Sequence, residues 1–299
     1  VVSANNYATE MAWQILKKGG NAADATITLQ LILGLVEPQS SGLGGGSFLT
    51  YYQKKNKQIF SYEGREKAPL NANENLFIKE NGEKFRFFEA VVGGLSVGVP
   101  GTLDLLYNFH KDFGKLSWKE VLQPVIKFSE NGFYPPERLK KSLEREKFLF
   151  EENISDKYFI NIKKKPNELI KNREYTNTLK KILANHRFFY EGEIAKNIIN
   201  KVKNHSKNPG LMELADLLNY KSSKSEAFCA ELRKFFLCGP HLPSSGSISI
   251  IQTLILYEKF DFLESSDKFD NLLNILEFVY KLREQFLADS NFEEVNIDL

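Results

Sequence analysis

Apolar positions recur at helical spacing from the start of the chain. Ala8, Met11, Ala12, Ile15 and Leu16 share one face, Asn5 or Asn6 offers an N-cap and Gly19-Gly20 a stop, so residues 5–18 read as an amphipathic helix. From Asn21 to Val36 the pattern becomes small and apolar nearly all round, which predicts a helix buried on most sides, ended by Glu37-Pro38. A glycine-dense turn, Ser40 to Gly46, then feeds two strand-like runs, 48–52 and 58–63, separated by a lysine-rich turn. They predict a β-hairpin, and hence a sheet that is at least partly antiparallel.

Residues 64–94 show no clear period, and Leu95 to Pro100 read as one short buried strand. Helices are expected over 102–109 and from the capping box Ser117-Trp118-Lys119-Glu120 to about Asn131. The stretch from roughly 135 to 225 is charged, lysine-rich and helical, clearest at 176–185 and 192–204. Strand character returns at 227–238, and two more helices fill 247–259 and 267–288. Strands at both ends with helices between them predict one interwoven α+β segment over 1–299, with a helical insert at about 135–225.

Composition narrows the function. Of 299 residues, 40 are Lys or Arg and 38 are Asp or Glu, a near-balance that argues against a nucleic-acid partner. No apolar run reaches the roughly 18 residues of a membrane span. The chain opens at Val1 rather than Met and closes on NFEEVNIDL without a helix stop, so it reads as cut at both ends. Cys229 and Cys238 form neither a CxxC pair nor a disulfide framework; a single bridge between them stays open.

Four patterns invite chemistry. The glycine turn at 42–46 lacks the last glycine of GxGxxG, where Ser47 stands, and runs helix to strand, the reverse of a phosphate loop; it reads as a tight turn. His110, His186, His205 and His241 have no metal-ligand spacing. Gly94-Leu95-Ser96-Val97-Gly98 matches GxSxG, but the extended pattern through Pro100 places Ser96 mid-strand, not on a nucleophile elbow. Arg65, after a strand and beside Gly64, stands out in a chain that prefers lysine. Its planar fork suits a carboxylate, but from these residues alone a surface or structural ion-pairing role is the favoured reading.

Taken in order, several segments resemble the γ-glutamyltransferase family (γ-glutamyl transpeptidase, glutathione hydrolase). They are Gly19 to Ala25, Val36-Glu37-Pro38, Ser41 to Phe48, Gly64-Arg65-Glu66-Lys67-Ala68-Pro69, Val97 to Gly101, Gly192 to Ala195, Gly210-Leu211-Met212 and Pro243-Ser244-Ser245-Gly246. The resemblance covers essentially the whole chain. It implies an N-terminal-nucleophile hydrolase with an αββα sandwich, of which this chain is the large-subunit part. In that family a precursor cuts itself, and the exposed N-terminal threonine attacks a γ-glutamyl amide, with its own amine as base. The expected substrates are glutathione and related γ-glutamyl compounds, passed to water or to an acceptor amino acid or peptide, with no metal or organic cofactor.

By the same resemblance, Arg65 holds the substrate's α-carboxylate and Glu66 orients Arg65, while the glycine turn is structural. The family's Thr-Thr-His-x-Ser start of the small subunit is absent, and Phe286 to Phe292 resembles a segment before the cleavage point. No catalytic residue is therefore expected in this chain, whose partner would be the small catalytic subunit of the same precursor. Alone it should be inactive and expose apolar surface. Thr26 and Ser247 replace a common alanine and glycine, and Ser247 puts its loop's geometry in question. Family analogy places the protein in the periplasm or outside the cell. The alternatives are a related amidase such as a cephalosporin acylase, or a non-catalytic remnant that serves as a binding or scaffold protein.

Overall fold

Two asparagines open the first helices of the computed structural model, which describes residues 1–150, 157–260 and 267–296. Asn5 accepts from the Tyr7 amide and starts α1 (Asn6–Lys17). Asn21 accepts from the Asp24 amide while the Asp24 carboxylate accepts from the Asn21 amide, a reciprocal box that starts α2 (Ala22–Val36). The chain divides into two units: Val1–Ser47 with Gly64–Ser222, and Phe48–Glu63 with Ser223–Leu299.

In the first unit α2 is buried on most sides, as its all-round apolar pattern predicts, with Ile27, Leu31, Ile32, Leu35 and Val36 shielded from solvent. Ala12 and Ile15 of α1 pack on Ala25. The helices that follow are α3 (Phe87–Val91), α4 (Thr102–Phe113), α5 (Trp118–Asn131), α6 (Glu137–Arg145), α7 (Lys157–Lys164), α8 (Arg173–Ala184), α9 (Gly192–Lys203) and α10 (Leu214–Asn219). The predicted box at α5 forms in full, Ser117 and Glu120 each capping the other's amide. Near the end of α2, Tyr175 and Tyr158 donate to the carbonyls of Leu31 and Leu35, at 2.7 and 3.3 Å. Gly34 gives Tyr175 room: a β-carbon there would lie 3.0 Å from its hydroxyl.

The second unit contains a three-stranded sheet in the order β1 (Ser47–Gln53), β2 (Gln58–Gly64), β3 (Ser223–Glu226). The hairpin expected at 48–63 is present, and β3 pairs antiparallel with β2, Phe60 facing Glu226. A second hairpin joins β4 (Phe228–Leu232) to β5 (Phe235–Gly239), followed by α11 (Gly246–Lys259) and α12 (Lys268–Phe286). Cys229 and Cys238 face each other across that ladder and are joined by a disulfide, which closes the question the sequence left open.

Three expectations need correcting. Residues 95–100 form a turn with a single bridge, Val99 to Lys67, instead of a strand. Gly94 and Leu95 both donate to the Asn208 carbonyl, and Ser96 Oγ donates to the Val91 carbonyl, so the backbone folds back before a ladder can form. Ser96 is thus no nucleophile elbow, because no strand leads into it and no helix starts at it, and not because it lies mid-strand. The helical stretch ends earlier than 225, because Ser223–Glu226 joins the edge of β2. The irregular 64–94 stretch contains the short helix α3.

Candidate functional site

The segment after β2 carries both site residues expected from sequence, and glycines on three sides let it lie close to its neighbours. A β-carbon on Gly64 would sit 2.6 Å from Leu105 Cβ, and one on Gly101 would sit 2.3 Å from the Gly64 carbonyl oxygen and 1.9 Å from the Tyr220 hydroxyl. Neither position has room for a side chain. The glycine turn is braced on the start of α4: the Gly45 carbonyl accepts from the amides of Gly101 and Thr102 and from Thr102 Oγ1. In this unit the turn thus braces the start of α4.

Arg65 follows, exposed, and among the described residues its guanidinium makes no hydrogen bond or ion pair. The Glu66 carboxylate lies against the glycine turn, its Oε2 2.3 Å from where a β-carbon on Gly46 would be. No hydrogen bond or ion pair joins Glu66 to Arg65. The pair is adjacent in sequence but faces different surroundings.

The backbone of the segment is pinned by long-range bonds. Lys67 and Val99 exchange both amide–carbonyl bonds, at 3.2 and 2.8 Å. Tyr220, directly after α10, donates its hydroxyl to the Arg65 carbonyl at 2.6 Å, and Asp216 within α10 accepts from the Leu70 amide at 2.9 Å. Tyr220 stacks nearly parallel on Tyr190, whose hydroxyl accepts from the Asp104 amide in the first turn of α4. Burial holds the Tyr190 phenol far above the usual range for tyrosine, so it stays protonated. Nothing local in the sequence pointed to Tyr220 or Asp216, which are 155 and 146 residues from their partners.

The Pro243-Ser244-Ser245-Gly246 loop belongs to the second unit, where it leads into α11. Ser247 Oγ lies 2.2 Å from where a β-carbon on Gly239 would be, so the serine is accommodated because residue 239 has no side chain. Arg283 Nε donates to Ser245 Oγ at 2.8 Å beside an open pocket of about 390 Å³ that Leu242, Leu287 and Asp289 help to line. The histidines are dispersed: His110 bonds the Leu116 carbonyl, and His186 stacks on Tyr107, where burial lowers its pKa.

The profile of the γ-glutamyltranspeptidase family matches residues 8–298. The chain belongs to this family. It is 31% identical to the glutathione hydrolase proenzyme of Bacillus subtilis (strain 168), a match covering all of this chain and 51% of that protein. The chain thus spans about half the length of the curated relatives it matches. Among solved structures, the γ-glutamyltranspeptidase from Pseudomonas nitroreducens complexed with L-DON superposes with a TM-score of 0.88 at 30% identity, covering 99% of this chain and 88% of that one. The fold is therefore the α+β N-terminal-nucleophile hydrolase fold, in its large-subunit part. A cephalosporin acylase from Bacillus halodurans shares that fold at 21% identity, with a TM-score of 0.80 over 97% of this chain and 55% of the acylase.

Proposed function

We propose that this chain is the large-subunit part of a γ-glutamyltransferase that cleaves the γ-glutamyl amide of glutathione and related compounds. The acyl group passes to an N-terminal threonine lying beyond this chain, and then to water or to an acceptor amino acid or peptide. Splitting the transfer through a covalent intermediate replaces one difficult step with two easier ones. Arg65 receives the α-carboxylate of the γ-glutamyl group. The observation that carries this reading is the exposed guanidinium of Arg65, unpaired among the described residues, on a backbone segment bonded from several sides. A fork free of acceptors among the described residues is available for a carboxylate, and a pinned backbone lowers the entropy lost on binding.

The partner in this reading is the small catalytic subunit of the same precursor, consistent with the proenzyme to which the chain is similar. The Cys229–Cys238 disulfide fits the periplasm or cell exterior, where disulfides persist. No helix among the described residues is long and apolar enough to cross a membrane.

The test uses the full-length gene product and a chromogenic γ-glutamyl anilide. Arg65→Ala should lower kcat/KM roughly ten- to hundredfold, mainly through KM, because a charge-assisted pair contributes about 1.5–3 kcal/mol. Unchanged kinetics would remove Arg65 from the site. A full-length protein that neither cleaves itself nor turns over the anilide would favour a scaffold role instead.

A further inference from the structure

We infer that Tyr220 and Asp216 are positioning residues for Arg65: they fasten the two ends of the Arg65–Leu70 segment, and so set where the guanidinium meets the substrate's carboxylate. The inference rests on the reading of Arg65 given above. Because the Arg65 side chain makes no hydrogen bond or ion pair among the described residues, its place depends on the backbone that carries it.

Tyr220 holds the first end by its hydroxyl on the Arg65 carbonyl, and Asp216 holds the other by its carboxylate on the Leu70 amide. Both side chains are themselves fixed. Asp216 is buried and also accepts from the Glu213 amide at 2.7 Å, closing the capping box of α10. Tyr220 is buried, with its ring 5.9 Å from that of Tyr190, the two planes 6° apart. Lys67 adds to the clamp, its ammonium 5.3 Å over the Tyr220 ring and 3.4 Å from the Lys221 carbonyl.

Gly101 completes the arrangement, since any side chain there would occupy the place of the Tyr220 hydroxyl. A short helix more than 140 residues downstream thus governs a binding side chain without touching substrate. Loosening either anchor should cost substrate affinity and leave the chemical step nearly intact.

The test is a double-mutant cycle in the full-length gene product: wild type, Tyr220→Phe, Arg65→Ala and the double variant, each with KM, kcat and thermal midpoint. Tyr220→Phe removes one oxygen and keeps the ring stack. It should raise the KM of the γ-glutamyl anilide roughly two- to tenfold, with kcat nearly unchanged. In the Arg65→Ala background the same substitution should leave KM unmoved, because the residue it positions is gone. Asp216→Asn supplies a second anchor variant and should show the same dependence on Arg65.

An unchanged KM in Tyr220→Phe overturns the inference. So does an equal rise in both backgrounds, which would mark Tyr220 as a general structural residue. If Arg65→Ala itself leaves KM unchanged, the reading of Arg65 fails, and it does so independently of what Tyr220→Phe shows.

Discussion

Asp24 contributes to this protein through its buried carboxylate, which accepts from the amides of Asn21, Lys115 and Leu116 and so ties the start of α2 to the loop before α5. Asp24→Ala would leave three amides without their acceptor. It should lower stability by about 3 kcal/mol, readable as a fall in denaturation midpoint, with Asp24→Asn costing less. An unchanged midpoint would mean that water replaces the carboxylate. The sequence showed Asp24 inside a motif but gave no hint of Lys115 and Leu116, because a bond across 91 residues has no local signature. Arg65 was legible as an arginine among lysines after a strand. Its lack of a partner was not, since pairing depends on which side chains the fold brings near.

At the scale of elements, caps and periodicity were the most legible features. Ser117 and Glu120 lie three residues apart, so their reciprocal bonds follow from local geometry alone. The stretch 95–100 misled because Val97, Val99 and Pro100 look extended, whereas the Asn208 carbonyl draws the amides of Gly94 and Leu95 into a turn. The β4–β5 hairpin carries its own cross-link, with Cys229 opposite Cys238 at a separation of nine residues. Replacing both cysteines with alanine should cost about 2 kcal/mol, because the bridge restrains the unfolded chain. The check is thermal melting of wild type with and without reductant beside the double variant. A midpoint that reductant does not move would show that the bridge adds nothing to stability.

Over the whole molecule, the described residues expose large apolar side chains that include Phe236, Ile250, Phe269 and Leu273, all in the second unit. Where such side chains adjoin, they mark a surface that something covers. Residues 1–299 expressed alone should therefore bind a hydrophobic dye and self-associate in size-exclusion chromatography, and the full-length product should do neither. A monomer that leaves the dye dark would argue that these side chains need no cover. The sequence by itself determined most of the longer helices, the caps of α1 and α5, the first hairpin and the ordered motifs of the family, since each depends on residues within a turn or two of one another. The tertiary structure alone decided which glycines must be glycine, that Cys229 meets Cys238, that Arg65 has no partner among the described residues, and that Tyr220 and Asp216 fasten its segment. Those outcomes depend on which surfaces meet once the helices pack, and packing brings together residues whose separation along the chain carries no pattern to read.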